Sequence, residues 1–388
     1  MVSESLWPIG VAIYVTGTVG QALGANLQRK SLTNETFRAE NDTSYQPKRK
    51  FQQKLWAAGF FLFVFAGIFM SVSLFFASQT VLAPMQLFLF VSNAIFAYWI
   101  NKEVFRWLGW DGLALLLVVV GVTMSIVSAP KHTESYNNDE LMWLMRQPGF
   151  IAFCCFAGAF IIGAWYTKRR ILESCRNDPR TIQRRWLRTV LNMSYGAIAG
   201  ALGGVNVTLT KTVFSLIVGQ FDKGGIVGVL SSPVLWVTSI VLVVTYVLEI
   251  VFDVRGLEAT SAIIVISSHS VTEEVVATSG GILYFQDYLF FEAWAWAVFI
   301  IGNLTAIVSV IGLSHLRLRE AEAKEKAMAR KQDSWDTVLL SNFHDSSGPG
   351  RERPPATTGS VGFNVTADKD LELGAATDSR RRTRINTC

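Results

Sequence analysis

Hydropathy along the chain alternates between long apolar runs and short polar breaks. Nine runs are long enough to cross about 30 Å of hydrocarbon as helices, at about 1.5 Å of rise per residue. They lie near 6–27, 56–77, 81–100, 113–128, 150–166, 191–218, 234–252, 257–283 and 294–313. The pattern predicts an all-α polytopic membrane helix bundle over 1–315, with 316–388 as a charged cytoplasmic tail. The first run is expected to stay as a span and not leave as a cleaved leader. Residues 1–5 hold Glu4 and no Lys or Arg, and Gln21, Asn26 and Gln28 follow in place of a cleavage site.

Composition agrees with this reading. Of 388 residues, 51% are hydrophobic and 17% charged, too apolar for a water-soluble chain of this size. The net charge of +5 does not point to nucleic acid, because the basic residues sit in loops beside apolar runs, where they set orientation. Eighteen Lys and Arg fall in the odd-numbered loops, Arg29, Lys54, Arg106 and Arg170 among them; the even loops hold only Lys131, Arg146 and Lys223. The odd loops and the C-terminus are therefore expected in the cytoplasm and the N-terminus outside or in a lumen. A plasma or endosomal membrane fits equally. The sequons at Asn34 and Asn41 would then lie inside, and a glycan on either would reverse the orientation. Arg317 to Gln332 reads as a short solvated helix, and the chain from Ser341, with Arg380, Arg381, Arg382 and Arg384, as a solvated tail. Cys154, Cys155, Cys175 and Cys388 form no CxxC or paired framework.

Polar residues inside apolar runs need a reason, since a charge at bilayer centre costs roughly 2.5 to 3.5 kcal/mol on insertion scales. His269, Glu273 and Glu274 stand in the eighth run, and His269 and Glu273, four apart, share one helix face with Ala262, Ile266 and Gly280. That face is the candidate pathway. Glu273 is preferred over Glu274, which points about 100 degrees away. Gln21, Asn26, Gln86, Asn93 and Asn206 extend the same polar lining. Gly17, Gly24, Gly196, Gly200 and Gly203 are read as close-packing positions between helices, and Lys211 as snorkelling to the outer interface in preference to pairing with an acid such as Glu273. Glu249 and Asp253, one turn apart beside Arg255, read as an ion pair or a gate.

The chain also repeats itself. GANLQRKSL at Gly24 parallels GVNVTLTKTV at Gly204; TVLAPMQ at Thr80, leaving through NKEVF, parallels TSAIIVI at Thr260, leaving through FQDYLF; GVTMSIVS at Gly121 parallels GNLTAIVSV at Gly302. Each match is five runs apart, and an odd offset places the copies upside down relative to each other, as an inverted repeat with a site between the halves. WAAGFF at Trp56, TVLAP at Thr80, INKEV at Ile100, SAPK at Ser128, QPGF at Gln147 and the Gly-rich sixth run with Lys211 together resemble the NIPA-type magnesium transporter family of the drug/metabolite transporter superfamily. The resemblance covers about 6–315. It implies nine helices in two inverted halves and transport of magnesium or another divalent cation.

Magnesium keeps its waters and is held by one or two carboxylates. Glu273 and Glu274, with amide oxygens of Asn26, Asn93 and Asn206, would suit such an ion, with Mg2+ as transported cargo and no resident cofactor. Two other functions compete: a proton-coupled or facilitative carrier of a small organic solute, and a non-transporting scaffold or receptor. No GxSxG, HExxH, Walker or Rossmann pattern stands in a supporting context, so no enzyme is expected. The expected partners are the lipid bilayer, a small ion or solute and a second copy of the chain.

Overall fold

A computed structural model describes residues 6–42, 44–46, 48–102, 105–131, 136–177, 185–259 and 262–345. Glu103, Arg180, Arg184, Thr260 and the tail arginines Arg380 to Arg384, used in the readings above, lie outside the described residues.

The described residues contain helices and no strand. In order they are α1 (Trp7–Asn41), α2 (Lys54–Ser73), α3 (Gln79–Leu82), α4 (Phe88–Asn101), α5 (Trp110–Ser128), α6 (Asn138–Met145), α7 (Pro148–Asn177), α8 (Arg185–Leu230), α9 (Pro233–Ala259), α10 (Ala262–Ser279) and α11 (Ala293–Asp345). Nine spans were expected, and seven of the described helical stretches are long and apolar enough to cross a membrane. Helices also form over the two remaining runs, as α1 and α10, but polar residues dilute them. α10 places Ser267, Ser268, His269, Ser270, Thr272, Glu273 and Glu274 within two turns.

Three breaks position the site. Pro84 cannot donate to the helix ladder, so α3 tightens into a 3-10 turn over Ala83–Leu87 before α4 resumes, all of it buried. Gly280–Tyr284 form a π turn after α10, and a Cβ on Gly280 would lie 2.3 Å from Thr208 Oγ1, so only glycine passes there. Gly225, at φ +60, interrupts the far end of α8. Lys102 and Gln286, just beyond the two broken spans, are the two non-glycine residues at positive φ among those described. On the face opposite the basic loops, α6 starts in a capping box: Asn137 Oδ1 accepts from the backbone of Asp139 and Glu140, and Glu140 accepts in return.

The apolar residues divide between two cores. One gathers Leu82, Met85, Leu87, Val118, Val122 and Val310 from α3–α5 and α11; the other gathers Leu141, Leu216, Val276 and Tyr284 from α6, α8 and α10. α2, α7 and α9 cover the outside and leave large apolar side chains such as Phe61, Ile162 and Ile240 more than half exposed. That is the surface a bilayer wets, and it is continuous with an integral membrane protein.

Candidate functional site

The α8 glycines determine how closely α10 approaches. A Cβ on Gly196 would sit 2.4 Å from Val265 O, one on Gly200 2.2 Å from His269 O, and one on Gly204 2.8 Å from Glu273 O. Only bare backbone fits against these carbonyls, so α10 lies flush on α8 with its polar stripe fixed in rotation.

On that stripe the His269 ring is flanked by three carboxylates. Nδ1 is 2.9 Å from Asp253 Oδ1, and Nε2 is 3.1 Å from Glu273 Oε2 and 3.8 Å from Glu249 Oε1. Further polar groups orient two of the acids. Gln86 donates to Glu273 at 2.6 Å, and Tyr14 donates to Gln86 Oε1 at 2.9 Å. Asn206 donates to Glu249 at 2.5 Å, and Thr245 donates to Asn206 Oδ1. Five helical elements therefore converge here: α1, the 3-10 turn, α8, α9 and α10. Glu249, Asp253 and His269 each offer a ligand atom within 4.8 Å of the others. Side-chain exposure falls from 31% at Asp253 to 11% at Glu273, so the cluster is reached from the Asp253 end, which is the end carrying the basic loops.

The sequence reading distributes differently over this geometry. Glu273 and Glu274 do not form a joint ligand pair. Glu274 turns away, accepts from Thr278 at 3.2 Å, and keeps its Oε2 buried without a partner. Glu249 and Asp253 face His269, and among the described residues no ion pair joins either to exposed Arg255. Asn26 and Asn93 form a separate amide cluster on the α1–α4 side, with Asn26 donating to Asn93 at 2.8 Å and accepting from Asn101 at 2.7 Å. Gln21 leaves Oε1 buried without a partner. Gly17 and Gly24 pack on α2, where Gly24 and Gly59 meet backbone to backbone. Lys211 does not snorkel: it is buried and donates to Leu74 O at 2.6 Å and Ala77 O at 3.3 Å. Tyr14 and Thr245 were missed. Thr245 was readable, because Thr245, Glu249 and Asp253 recur every four residues along one face of α9.

A cavity of about 80 Å³ opens beside the cluster toward the basic loops, lined by Arg29, Asn93, Tyr98, Phe105, Ile266 and Arg317. Ile266, in its lining, is one turn of α10 from His269.

Comparison with known proteins follows the same direction. A family model described as magnesium transporter NIPA matches residues 6–319. The chain is 24% identical over 349 residues to a probable magnesium transporter NIPA8 from Arabidopsis thaliana, covering 87% of this chain and 74% of that one. It is 24% identical over 242 residues to magnesium transporter NIPA4 from Mus musculus, covering 61% and 52%, and 22% identical over 338 residues to NIPA4 from Homo sapiens, covering 85% and 73%. No solved structure matches.

Proposed function

The chain belongs to the magnesium transporter NIPA family, and from that membership we propose that it moves a divalent cation, magnesium first, by alternating access between two inverted halves. The observation that carries the reading is the set of three carboxylates, Glu249, Asp253 and Glu273, gathered with Asn206 around His269 inside the apolar bundle. Ionisable groups there are costly and belong to an ion pathway by default. Their oxygens suit a hard cation that keeps part of its water shell, and Asp253 offers the first contact from the exposed end.

Nine spans in two inverted halves fit the local geometry, and the loop charges put the N-terminus outside. The Gly121 Cβ position faces Gly302 O and Ala306 N, while that of Gly302 faces Gly121 O and Ser125 N, a reciprocal contact between the two repeat copies. Lys102 and Gln286, both left-handed, occupy matching places after the two broken spans. Counting from Thr80 and Thr260, Asn93 corresponds to Glu273, so the first half carries an amide where the second carries the acid. The halves also pack differently: the glycines of α1 meet α2, whereas those of α8 meet α10. Two packings of one repeated unit are what alternating access exchanges.

The test is flux in proteoliposomes holding a magnesium-sensitive dye. Wild-type chain should load the vesicles, and Glu273→Gln, which keeps the Gln86 contact and removes the charge, should lower uptake at least tenfold. Equal uptake by both would remove the assignment. A second reading rests on His269: an imidazole beside two carboxylates also suits a softer divalent ion such as zinc or iron. Uptake of those ions in preference to magnesium, lost on His269→Gln, would favour it.

A further inference from the structure

We infer that Lys211 is a latch that holds the bundle shut on the face opposite the basic loops, and that the described arrangement is the one closed on that side. The inference rests on the alternating-access reading and assigns a residue to one of its two states.

α2 ends at Ser73, and the last carbonyls of a helix have no partner within it and carry the negative end of its dipole. Lys211, from the other half of the molecule, places its ammonium on two carbonyls just past that end, Leu74 O and Ala77 O. Its side chain is 5% exposed, so a charge has been taken out of water to make this contact. Such a group is satisfied only while α8 stays seated on the end of α2. If the halves part there, the ammonium returns to water and the Leu74 and Ala77 carbonyls lose their donor.

Neighbouring contacts close the same seam. Gln79 donates to Thr208 Oγ1 at 2.8 Å and to Ala277 O at 2.6 Å, and Thr80 donates to Asp287 at 2.5 Å. All three link the start of the first broken span to α8, α10 or the turn after α10. At the opposite end a cavity lined by Arg29, Asn93 and Ile266 lies between the halves, beside the Arg317–Asp111 ion pair of 3.2 Å that joins α11 to α5. The seam opposite the basic loops is therefore sealed by a buried cation and three neutral or charge-assisted hydrogen bonds, whereas the cavity lies at the other end.

The experiment uses the full chain with Cys154, Cys155, Cys175 and Cys388 replaced by Ala and a single reporter, Val207→Cys, one turn of α8 inside Lys211. Inverted and right-side-out vesicles receive a membrane-impermeant thiol reagent. Lys211→Met should speed labelling from the face opposite the basic loops by about tenfold or more, the scale of losing a charge-assisted hydrogen bond. Lys211→Arg, which keeps the donors, should stay near the parent rate. An unchanged rate in Lys211→Met overturns the latch while leaving the transport reading intact. Absent magnesium flux in the parent chain overturns the transport reading, whereas the labelling rates still decide the latch. If Lys211→Met does not reach the membrane, Thr80→Val opens the same seam and carries the same expectation and the same refuting outcome.

Discussion

Gly200→Ala adds one methyl group at the point where α8 touches the ion cluster. The new Cβ would lie 2.2 Å from His269 O and 2.9 Å from the carbonyl carbon behind it. A relaxed C···O contact is about 3.3 Å or more, so α10 must withdraw by about 1 Å. The His269–Asp253 contact, 2.9 Å across the α9–α10 seam, would stretch to about 4 Å and cease to be a hydrogen bond, while the His269–Glu273 contact within α10 moves with the helix. Overpacking of this kind costs about 1–3 kcal/mol. We expect a lower unfolding temperature in detergent and magnesium flux reduced at least tenfold. Gly67→Ala is the control, since its Cβ would meet nothing within 4 Å and a helical Gly→Ala change gains up to about 1 kcal/mol. Wild-type flux from Gly200→Ala would refute the claim that glycine contact sets the cluster, and loss of flux in both variants would show that the assay reads folding alone.

Other consequences follow from the same geometry. Glu274→Gln removes a buried carboxylate whose Oε2 has no partner, so thermal stability should rise by about 1 kcal/mol while flux stays within about twofold; a transport-dead Glu274→Gln would move the site. Tyr14→Phe frees the Gln86 amide, costing about 1 kcal/mol of support to Glu273, and should weaken apparent magnesium affinity by about fivefold in a flux titration. On the basic-loop side, the Tyr45 hydroxyl, with the Lys48 amide, holds the Glu35 carboxyl below the usual carboxylate range. A depressed carboxyl stabilises above its unfolded pKa and stops doing so as pH falls through its folded pKa, so the protection of the 44–46 amides, taken as exchange relative to the intrinsic rate at each pH, should be higher at pH 7 and fall once the pH drops through the depressed Glu35 pKa. Tyr45→Phe should narrow that difference, and equal protection on both sides of the Glu35 titration would refute the link.

Much of the helix plan was legible because a bilayer imposes one rule, about twenty apolar residues per crossing. α2, α5, α7 and α9 meet lipid on most of their surface and read plainly for that reason. α1 and α10 were harder, because their polar residues face protein and lower the hydropathy that marks a span. His269 and Glu273 were found from spacing along one helix. Glu249 and Asp253 were seen as a pair, but their partner lay sixteen residues on in the chain and across the α9–α10 contact, beyond any local pattern. Arg255, adjacent in sequence, was the nearer guess, and helical rotation sends it elsewhere. Lys211 was misjudged for a similar reason: its acceptors are the backbone carbonyls of Leu74 and Ala77 just past α2, and a carbonyl has no signature in the residue letters.

The reciprocal seat of Gly121 on Gly302 has a mechanical meaning. Under the proposed inverted repeat and alternating access, Gly121 and Gly302 are counterparts, and exchanging the two conformations would map their contact onto itself. α5 and α11 would thus form a fulcrum whose packing stays constant while the remaining helices rock about it, so a covalent tether across that joint should spare turnover that a tether at either rim would stop.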